Sequence, residues 1–240
     1  MRILLTNDDS IHASQLPPLV KWCTKLGDVT VVVPKQQQSG KSHGIEIHEP
    51  YEVKQVESIH GVETYTVDST PADCVRFALL GMDKEFDFVI SGINRGFNVG
   101  KDIMYSGTAA AVFEAGAQGL PAIAFSTSVE GYDTAATELD RIWAFMQEHH
   151  LWDVGYLYNV NIPPHAGEIR ITHQGGPFYS DRFHPVGENM YQAHGSCVHQ
   201  DKGDLTLDTD AVVHGCISIS PLTINRTDLT LFEKLNYLNG

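Results

Sequence analysis

Two adjacent aspartates near the N-terminus are the residues best suited to chemistry in this 240-residue chain. Asp8 and Asp9 follow Asn7 and a short apolar run at residues 3–5. In an open parallel sheet, residues just beyond the carboxyl end of a strand lie in the crevice where ligands bind. Ionised together, neighbouring carboxylates repel each other and favour a hard divalent cation such as Mg²⁺ or Mn²⁺. The alternative is local, with Asp9 or Ser10 capping the next helix and Asp8 shaping the turn.

A second polar cluster, Ser39-Gly40-Lys41-Ser42, follows the apolar run at residues 29–33. Its Gly-Lys-Ser triplet resembles the end of a P-loop, but Lys35 and Gln36 occupy the region where that motif has its leading glycine. We therefore exclude a P-loop. Two interpretations remain: the hydroxyl of Ser39 contacts a cation held by the two aspartates, or the segment is an ordinary surface turn.

A glycine-rich loop spans residues 92–107 and leads into a helix predicted over residues 108–117. Asn94, early in this loop, can offer a cation a neutral oxygen that adds no charge. Unpaired N–H groups and the helix dipole favour phosphate at the helix start, where the hydroxyls of Ser106 and Thr108 add donors. A simple turn is the alternative, but three such loops after three predicted strands favour a ligand site.

These clusters need a sheet that holds them at one edge, and the hydropathy pattern predicts one. Short β-branched runs alternate with helical spacing, which predicts parallel strands with helices on both faces. Strands are predicted at residues 3–5, 29–33, 86–91, 121–126, 158–162, 169–172 and 216–220. Helices are predicted at residues 16–26, from about 70 with Asp73 in the first turn, and at 108–117, 134–150 and 230–238. The fold class is therefore α/β, a Rossmann-like three-layer sandwich.

The chain changes character beyond about residue 165, where the predicted strands shorten and the loops become more polar. No internal repeat or clear linker interrupts it. We therefore predict one domain over residues 1–240, with a core over about 1–165 and an extension over about 166–240. The predicted C-terminal helix has one apolar face, formed by Leu231, Phe232, Leu235 and Leu238. That face packs on a second subunit or docks within its own chain.

Charge and hydropathy narrow the classes of function. With 16 Lys plus Arg against 30 Asp plus Glu, the net charge is −14, so duplex nucleic acid is not an expected partner. An anionic substrate then needs a metal ion or a nest of backbone N–H groups to neutralise it locally. The sequence has no apolar run near twenty residues, so no membrane association is expected.

The cysteines and histidines predict neither a disulfide framework nor a zinc site. The four cysteines lie far apart without a C-x-x-C pair, and we interpret them as buried thiols in a reducing compartment. The twelve histidines form no H-x-H or H-E-x-x-H array. The N-terminal strand runs straight into polar residues without the apolar segment of a signal peptide. A cytoplasmic protein is expected.

Several motifs together resemble the SurE survival-protein family of metal-dependent nucleoside monophosphate phosphatases, and the similarity covers most of the chain. These motifs lie at residues 2–9, 33–34, 39–40, 69–75, 91–100, 105–111, 159–163 and 217–222. The resemblance implies a homodimer or a homotetramer in which a C-terminal hairpin or arm is exchanged between subunits.

The resemblance also implies a set of site residues. One Mg²⁺ or Mn²⁺ ion per subunit would be bound by Asp8, Asp9, Ser39 and Asn94. Phosphate would be bound by the turn of Ser106, Gly107 and Thr108, together with Asn7 and Asn98. Either aspartate could orient or deprotonate the attacking water, and the sequence does not distinguish them.

Three positions depart from the pattern of the family. Ser10 stands where the family usually has glycine, His43 where it commonly has asparagine, and His173 where it commonly has arginine. None of the implied metal ligands is altered. Ser10 bears on the backbone torsions of the acidic loop, whereas His43 and His173 bear on substrate preference and phosphate affinity.

Two hypotheses about function follow. The first is a divalent-metal-dependent phosphomonoesterase that hydrolyses nucleoside 5′-monophosphates by attack of a metal-associated water, with activity on 3′-monophosphates left open. The second is a non-catalytic module that binds a nucleotide or phosphoacceptor at an acidic pocket, without turnover. The serine- and threonine-containing helix start, in addition to the acid pair, favours the enzyme.

Overall fold

A nine-stranded, mostly parallel sheet runs through the chain. The structure is a computed structural model that describes residues 1–239. The strands are β1 (Arg2–Thr6), β2 (Asp28–Pro34), β3 (Val53–Ile59), β4 (Val62–Val67), β5 (Phe88–Arg95), β6 (Ala122–Thr127), β7 (Leu157–Ile162), β8 (Ile169–Ile171), β9 (Tyr179–Gly187), β10 (Met190–Cys197) and β11 (Ile217–Pro221). The central sheet has the order β3-β4-β2-β1-β5-β6-β7-β11-β8, while β9 and β10 form a separate antiparallel hairpin. This confirms the predicted α/β fold class.

Helices pack on both faces of the central sheet. They are α1 (Leu16–Cys23), α2 (Pro71–Leu80), α3 (Gly107–Ala117), α4 (Leu139–Glu148), α5 (Leu151–Val154), α6 (Asp208–Val213) and α7 (Leu229–Leu235). The side chains of β1 alternate between the two cores, with Ile3 and Leu5 in one and Leu4 in the other. A strand buried on both faces explains why its sequence is continuously apolar.

The helix predicted over residues 134–150 is interrupted. A short 3-10 helix over Ala135–Glu138 precedes α4, and α5 is a separate turn of helix. His150, between α4 and α5, has a φ of 53°, in the left-handed region. A continuous α-helix cannot pass through that conformation, so the prediction of one helix was wrong at its ends.

The strands β3 and β4 were missed by the sequence analysis. They form an antiparallel hairpin whose turn, His60-Gly61, has φ values of 52° and 78°. Two consecutive residues with positive φ are typical of a tight hairpin turn. Much of β3 is exposed at the sheet edge, and it therefore lacks the buried apolar run by which the inner strands were recognised.

The extension beyond residue 165 contributes to the main core. β8 and β11 complete the central sheet, with β11 antiparallel to β7. The expectation that strands shorten here is wrong for the hairpin, because β9 and β10 contain 9 and 8 residues. Every residue of both hairpin strands is exposed, including Cys197. The interpretation of all four cysteines as buried thiols therefore fails at this position.

The predicted C-terminal helix is present and ends earlier than predicted, at Leu235. α7 is followed by a 3-10 helix over Asn236–Asn239, and neither contains a buried residue. The predicted apolar face is exposed to the extent of 47% to 68% at Leu231, Phe232, Leu235 and Leu238. Within residues 1–239, no helix combines the length and the apolar character that a membrane crossing requires.

Candidate active site

The three predicted polar loops meet at the carboxyl ends of β1, β2 and β5. These strands are parallel neighbours, with β1 between the other two. Asp8 and Asp9 follow β1, Ser39 lies in the loop after β2, and Asn94 is near the end of β5. Backbone contacts connect the loops: the N–H of Gln38 donates to the carbonyl of Asp8 at 2.8 Å. The topology therefore brings these side chains to one edge of the sheet.

Asp8 is a buried carboxylate at this edge, with only 3% of the residue exposed. Burial raises the pKa of Asp8 to about 6, and the charge of Asp9 adds to this, while a hydrogen bond from the hydroxyl of Thr108 opposes it. The start of α3 packs directly on Asp8, because a Cβ on Gly107 would lie 2.9 Å from the Cβ of Asp8. Glycine at position 107 thus lets the helix approach the carboxylate closely.

Asp9 is partly exposed and is held by two neighbouring segments. Its Oδ2 accepts a hydrogen bond from the N–H of Arg95 at 2.9 Å. The side-chain amide of Gln37 donates both to Asp9 Oδ1, at 3.1 Å, and to Ser39 Oγ, at 3.0 Å. Across residues 1–239, neither Asp8 nor Asp9 forms an ion pair with a lysine, arginine or histidine.

Asn94 precedes Arg95, the residue whose N–H donates to Asp9. The Nδ2 of Asn94 donates to the carbonyl of Gly96 at 2.8 Å, so the amide hydrogens point to the backbone and Oδ1 is left for another partner. With the hydroxyl of Ser39, these residues form a donor set made only of oxygen atoms. Such a set suits a hard cation such as Mg²⁺ or Mn²⁺. The buried carboxylate of Asp8 next to that of Asp9, with no ion pair to a cationic side chain within residues 1–239, fits the same cation, since burying uncompensated charge is unfavourable.

The start of α3 has the properties of an anion site. The Oγ of Ser106 accepts a hydrogen bond from the N–H of Ala109 at 3.0 Å and so caps the helix. The N–H groups of Gly107 and Thr108 in the first turn precede the intrahelical bonding pattern. Together with the helix dipole, they favour an anion at this end.

Thr108, one of the residues predicted to bind phosphate, also supports the acid pair. Thr108 is fully buried, and its hydroxyl donates to Asp8 Oδ1. This hydrogen bond orients the Asp8 carboxylate and favours its ionised form. The role of Thr108 in phosphate binding stays a prediction.

Two asparagines predicted to bind phosphate make hydrogen bonds within the protein. Asn7 is 1% exposed and its Nδ2 donates to the carbonyl of Ser10 at 2.9 Å, which shapes the acidic turn. Asn98 is 8% exposed and its Nδ2 donates to Ser126 Oγ at 2.7 Å. Their role in phosphate binding stays a prediction.

Asn159 and Asn161, which the sequence analysis did not assign, hold the glycine-rich loop. Both side chains project from the buried strand β7 and donate to the carbonyl of Asn98, at 2.7 and 3.1 Å. Asn161 Oδ1 also accepts from the N–H of Asn98 at 2.8 Å. The sequence did contain a signal for this role. Two asparagines in an otherwise apolar buried strand indicate hydrogen-bond partners in the folded protein, because buried amides need partners.

The three departures from the family pattern lie at different distances from the acid pair along the chain. Ser10 follows it directly and has a φ of 74°, a conformation that favours glycine. His43 contacts the carboxylate of Glu114 on α3, with 2.9 Å between Nε2 and Oε2. His173 pairs through its backbone with the segment before α6, where its N–H donates to the carbonyl of Thr206 at 2.8 Å.

Comparison with known proteins identifies one family and relatives that match nearly the whole chain. The family described as "Survival protein SurE" matches residues 3–181. A protein named 5'-nucleotidase SurE from Thermoanaerobacter sp. (strain X514) is 36% identical over 254 aligned residues, which cover 100% of this chain and 98% of that protein. Another of that name, from Vibrio campbellii, is 34% identical and covers 100% of this chain and 94% of the relative.

A solved structure supports the same relationship. The crystal structure of a SurE protein from Aquifex aeolicus matches with a TM-score of 0.77 and 30% identity, covering 100% of both chains. The family match, the curated relatives and the solved structure thus agree, and these relatives are of nearly equal length. The chain belongs to the SurE family.

Proposed function

We propose that this protein is a divalent-metal-dependent phosphomonoesterase that hydrolyses nucleoside 5′-monophosphates. The observation that carries the proposal is the buried Asp8 carboxylate, which is next to Asp9, forms no ion pair with a cationic side chain among the described residues, and lies directly against the start of α3. The names of the relatives, 5'-nucleotidase SurE, support the substrate class.

Asp8, Asp9, Ser39 and Asn94 would hold one Mg²⁺ or Mn²⁺ ion. When bound, the cation would neutralise phosphate charge and polarise the attacking water. The protein has a net charge of −14, so it needs this local positive charge to accept an anionic substrate.

The side chains and backbone groups of the site have separate roles in the reaction. Thr108 holds Asp8 in its ionised form through the hydrogen bond to Oδ1. Asp9 is the more exposed of the two carboxylates, and it is therefore better placed to orient the water and accept its proton. The N–H groups at the start of α3 bind the phosphoryl oxygens and stabilise the charge that they carry in the transition state.

A groove beside the helix start offers room for the nucleoside. It begins at Ser106, has a volume of about 290 Å³, and is lined by His43, Phe113, Gln174 and Arg226 among others. Pockets for small ligands combine apolar walls with a few polar groups. The ring of His43 lies nearly parallel to that of Phe113, at 6.4 Å between centroids.

Assembly through the C-terminal segment is a second part of the proposal. The exposed apolar face of α7 and the exposed β9–β10 hairpin are surfaces that a second subunit would cover. We infer a homodimer, or a dimer of dimers, in which these elements exchange between copies.

The decisive experiment measures phosphate release from a panel of nucleoside 5′- and 3′-monophosphates with Mn²⁺, with Mg²⁺ and after treatment with EDTA. Metal-dependent release from the 5′-monophosphates, lost in Asp9→Asn, is the expected result. Binding without turnover across the whole panel would instead favour the non-catalytic module. Equal release with and without EDTA would overturn the metal assignment.

A further inference from the structure

A second cluster of metal-ligating side chains lies outside the site described above. His199 and Asp201 follow β10, and Asp210 belongs to α6. One ring nitrogen and two carboxylate oxygens of these residues all lie within 4.8 Å of one another. The cluster therefore connects the base of the exposed hairpin to a buried helix.

The buried imidazole of His199 is the central observation. The side chain is 9% exposed, and its Nε2 lies 3.2 Å from Asp210 Oδ1. The two atoms are not aligned for a hydrogen bond, so Nε2 is a buried polar atom without a hydrogen-bond partner among the described residues. Such atoms are rare in folded proteins and usually indicate a missing partner. Here the atom faces a carboxylate oxygen.

The ring and the carboxylates are held in place by other groups. The imidazole stacks on Phe178, with 5.2 Å between centroids and 19° between planes. Asp210 Oδ2 accepts from the N–H groups of Lys202 and Asp204, at 2.9 and 3.0 Å, which turns Oδ1 toward His199. Thr209 adds a longer contact to Oδ1, at 3.4 Å.

Asp201 is positioned in the same way. Its Oδ1 accepts from the N–H of Gly203 at 2.8 Å, and its Oδ2 contacts His214 Nε2 at 2.8 Å. A carboxylate ligand that is itself hydrogen-bonded is the usual arrangement around protein metal sites. His214 thus supports Asp201 from outside the cluster.

From this geometry we infer a Zn²⁺ site formed by His199 Nε2, Asp210 and Asp201. An imidazole nitrogen combined with two carboxylates suits Zn²⁺ better than Mg²⁺, which prefers oxygen ligands alone. Three protein ligands leave one tetrahedral position free. A cavity of about 330 Å³ borders His199 and Asp210 and gives that position access to solvent.

The site would fasten the hairpin to the domain. His199 lies just after the end of β10, and Asp210 lies within α6. A cation bound to the folded state alone shifts the unfolding equilibrium by mass action. Zn²⁺ should therefore raise the melting temperature of the full-length protein through residues that are not among the predicted ligands of the active site.

The test measures Zn²⁺ binding by isothermal titration calorimetry to the full-length protein and three variants. His199→Phe keeps an aromatic ring against Phe178 but removes the nitrogen. Asp201→Asn changes an exposed ligand and keeps an oxygen that can accept from the N–H of Gly203. His150→Asn is the matched control. His150 forms an exposed pair with a single carboxylate, that of Asp153, at 3.3 Å, and therefore tests whether any histidine–aspartate pair binds Zn²⁺.

We expect His199→Phe to bind one Zn²⁺ ion fewer than wild type, and Asp201→Asn to bind that ion at least ~10-fold more weakly. His150→Asn should bind as wild type does, and phosphate release with Mn²⁺ should persist in every variant. Unchanged Zn²⁺ stoichiometry and affinity in both His199→Phe and Asp201→Asn would overturn the site. If His199→Phe is misfolded by circular dichroism, Asp201→Asn alone decides.

Discussion

Replacing Thr108 by valine should move the pH dependence of the enzyme. The hydroxyl of this buried residue donates to Asp8 and holds down a pKa that burial raises to about 6. A hydrogen bond to a charged group contributes about 1.5–3 kcal/mol, and 1.36 kcal/mol corresponds to one pH unit. Thr108→Val should therefore raise the pKa of Asp8 further above its ordinary value.

The sign of the effect follows from the form that binds a cation. Only ionised Asp8 is a ligand, so metal affinity is present above its pKa and is lost as the pH falls through it. A higher pKa of Asp8 in Thr108→Val therefore leaves less of this carboxylate ionised at a given pH. We expect the acid limb of Mn²⁺-dependent phosphate release to move up by about one to two pH units.

The assay is phosphate release against pH at several Mn²⁺ concentrations, for wild type, Thr108→Val and Thr108→Ser. Serine keeps the hydroxyl, so Thr108→Ser should retain the acid limb of wild type. Inhibition by inorganic phosphate should change little in Thr108→Val, since the backbone donors at the start of α3 remain. An unchanged acid limb combined with weakened phosphate inhibition would refute the positioning role and restore a direct phosphate contact.

Three further outcomes are expected. Asp9→Asn should lower turnover at saturating Mn²⁺ by at least ~10²-fold with the fold retained, as circular dichroism would show, whereas near-normal turnover would remove Asp9 from the site. Ser10→Gly should raise the melting temperature by about 2–4 °C, since it relieves ~1 kcal/mol of left-handed backbone strain. A lower melting temperature would mean that the hydrogen bond from the N–H of His12 to the serine hydroxyl, at 3.3 Å, contributes more to stability than this strain costs. Truncation before Thr230 should produce smaller species in light scattering and a lower melting temperature, and a monomeric wild-type protein at micromolar concentration would contradict the exchange of C-terminal elements.

The inner part of the fold was predictable because burial on both faces of the sheet gives a strand a continuous apolar sequence. β1 and β2 are continuous apolar runs, and the polar residues that follow such strands must lie at the carboxyl edge of a parallel sheet. The positions of Asp8, Asp9 and Asn94 follow from that rule. The β3–β4 and β9–β10 hairpins lack such runs. Much of β3 and all of β9 and β10 are exposed and place weak demands on side-chain type, whereas β4 is largely buried but contains Glu63, Thr64 and Thr66 in place of a continuous apolar run.

The site was predicted in its location but not in its internal contacts. Seen along the sequence, a threonine in the first turn of a helix after a glycine-rich loop is a natural phosphate donor. Its actual partner, Asp8, is 100 residues away along the chain, and the contact depends on how closely α3 approaches that turn, which the missing side chain at Gly107 permits. The same limit applies to Asn98, which follows β5 but contacts β7, two strands away in the folded sheet. Local pattern thus predicts which residues gather at an edge, whereas the division between ligand and support depends on packing between elements that are distant in sequence.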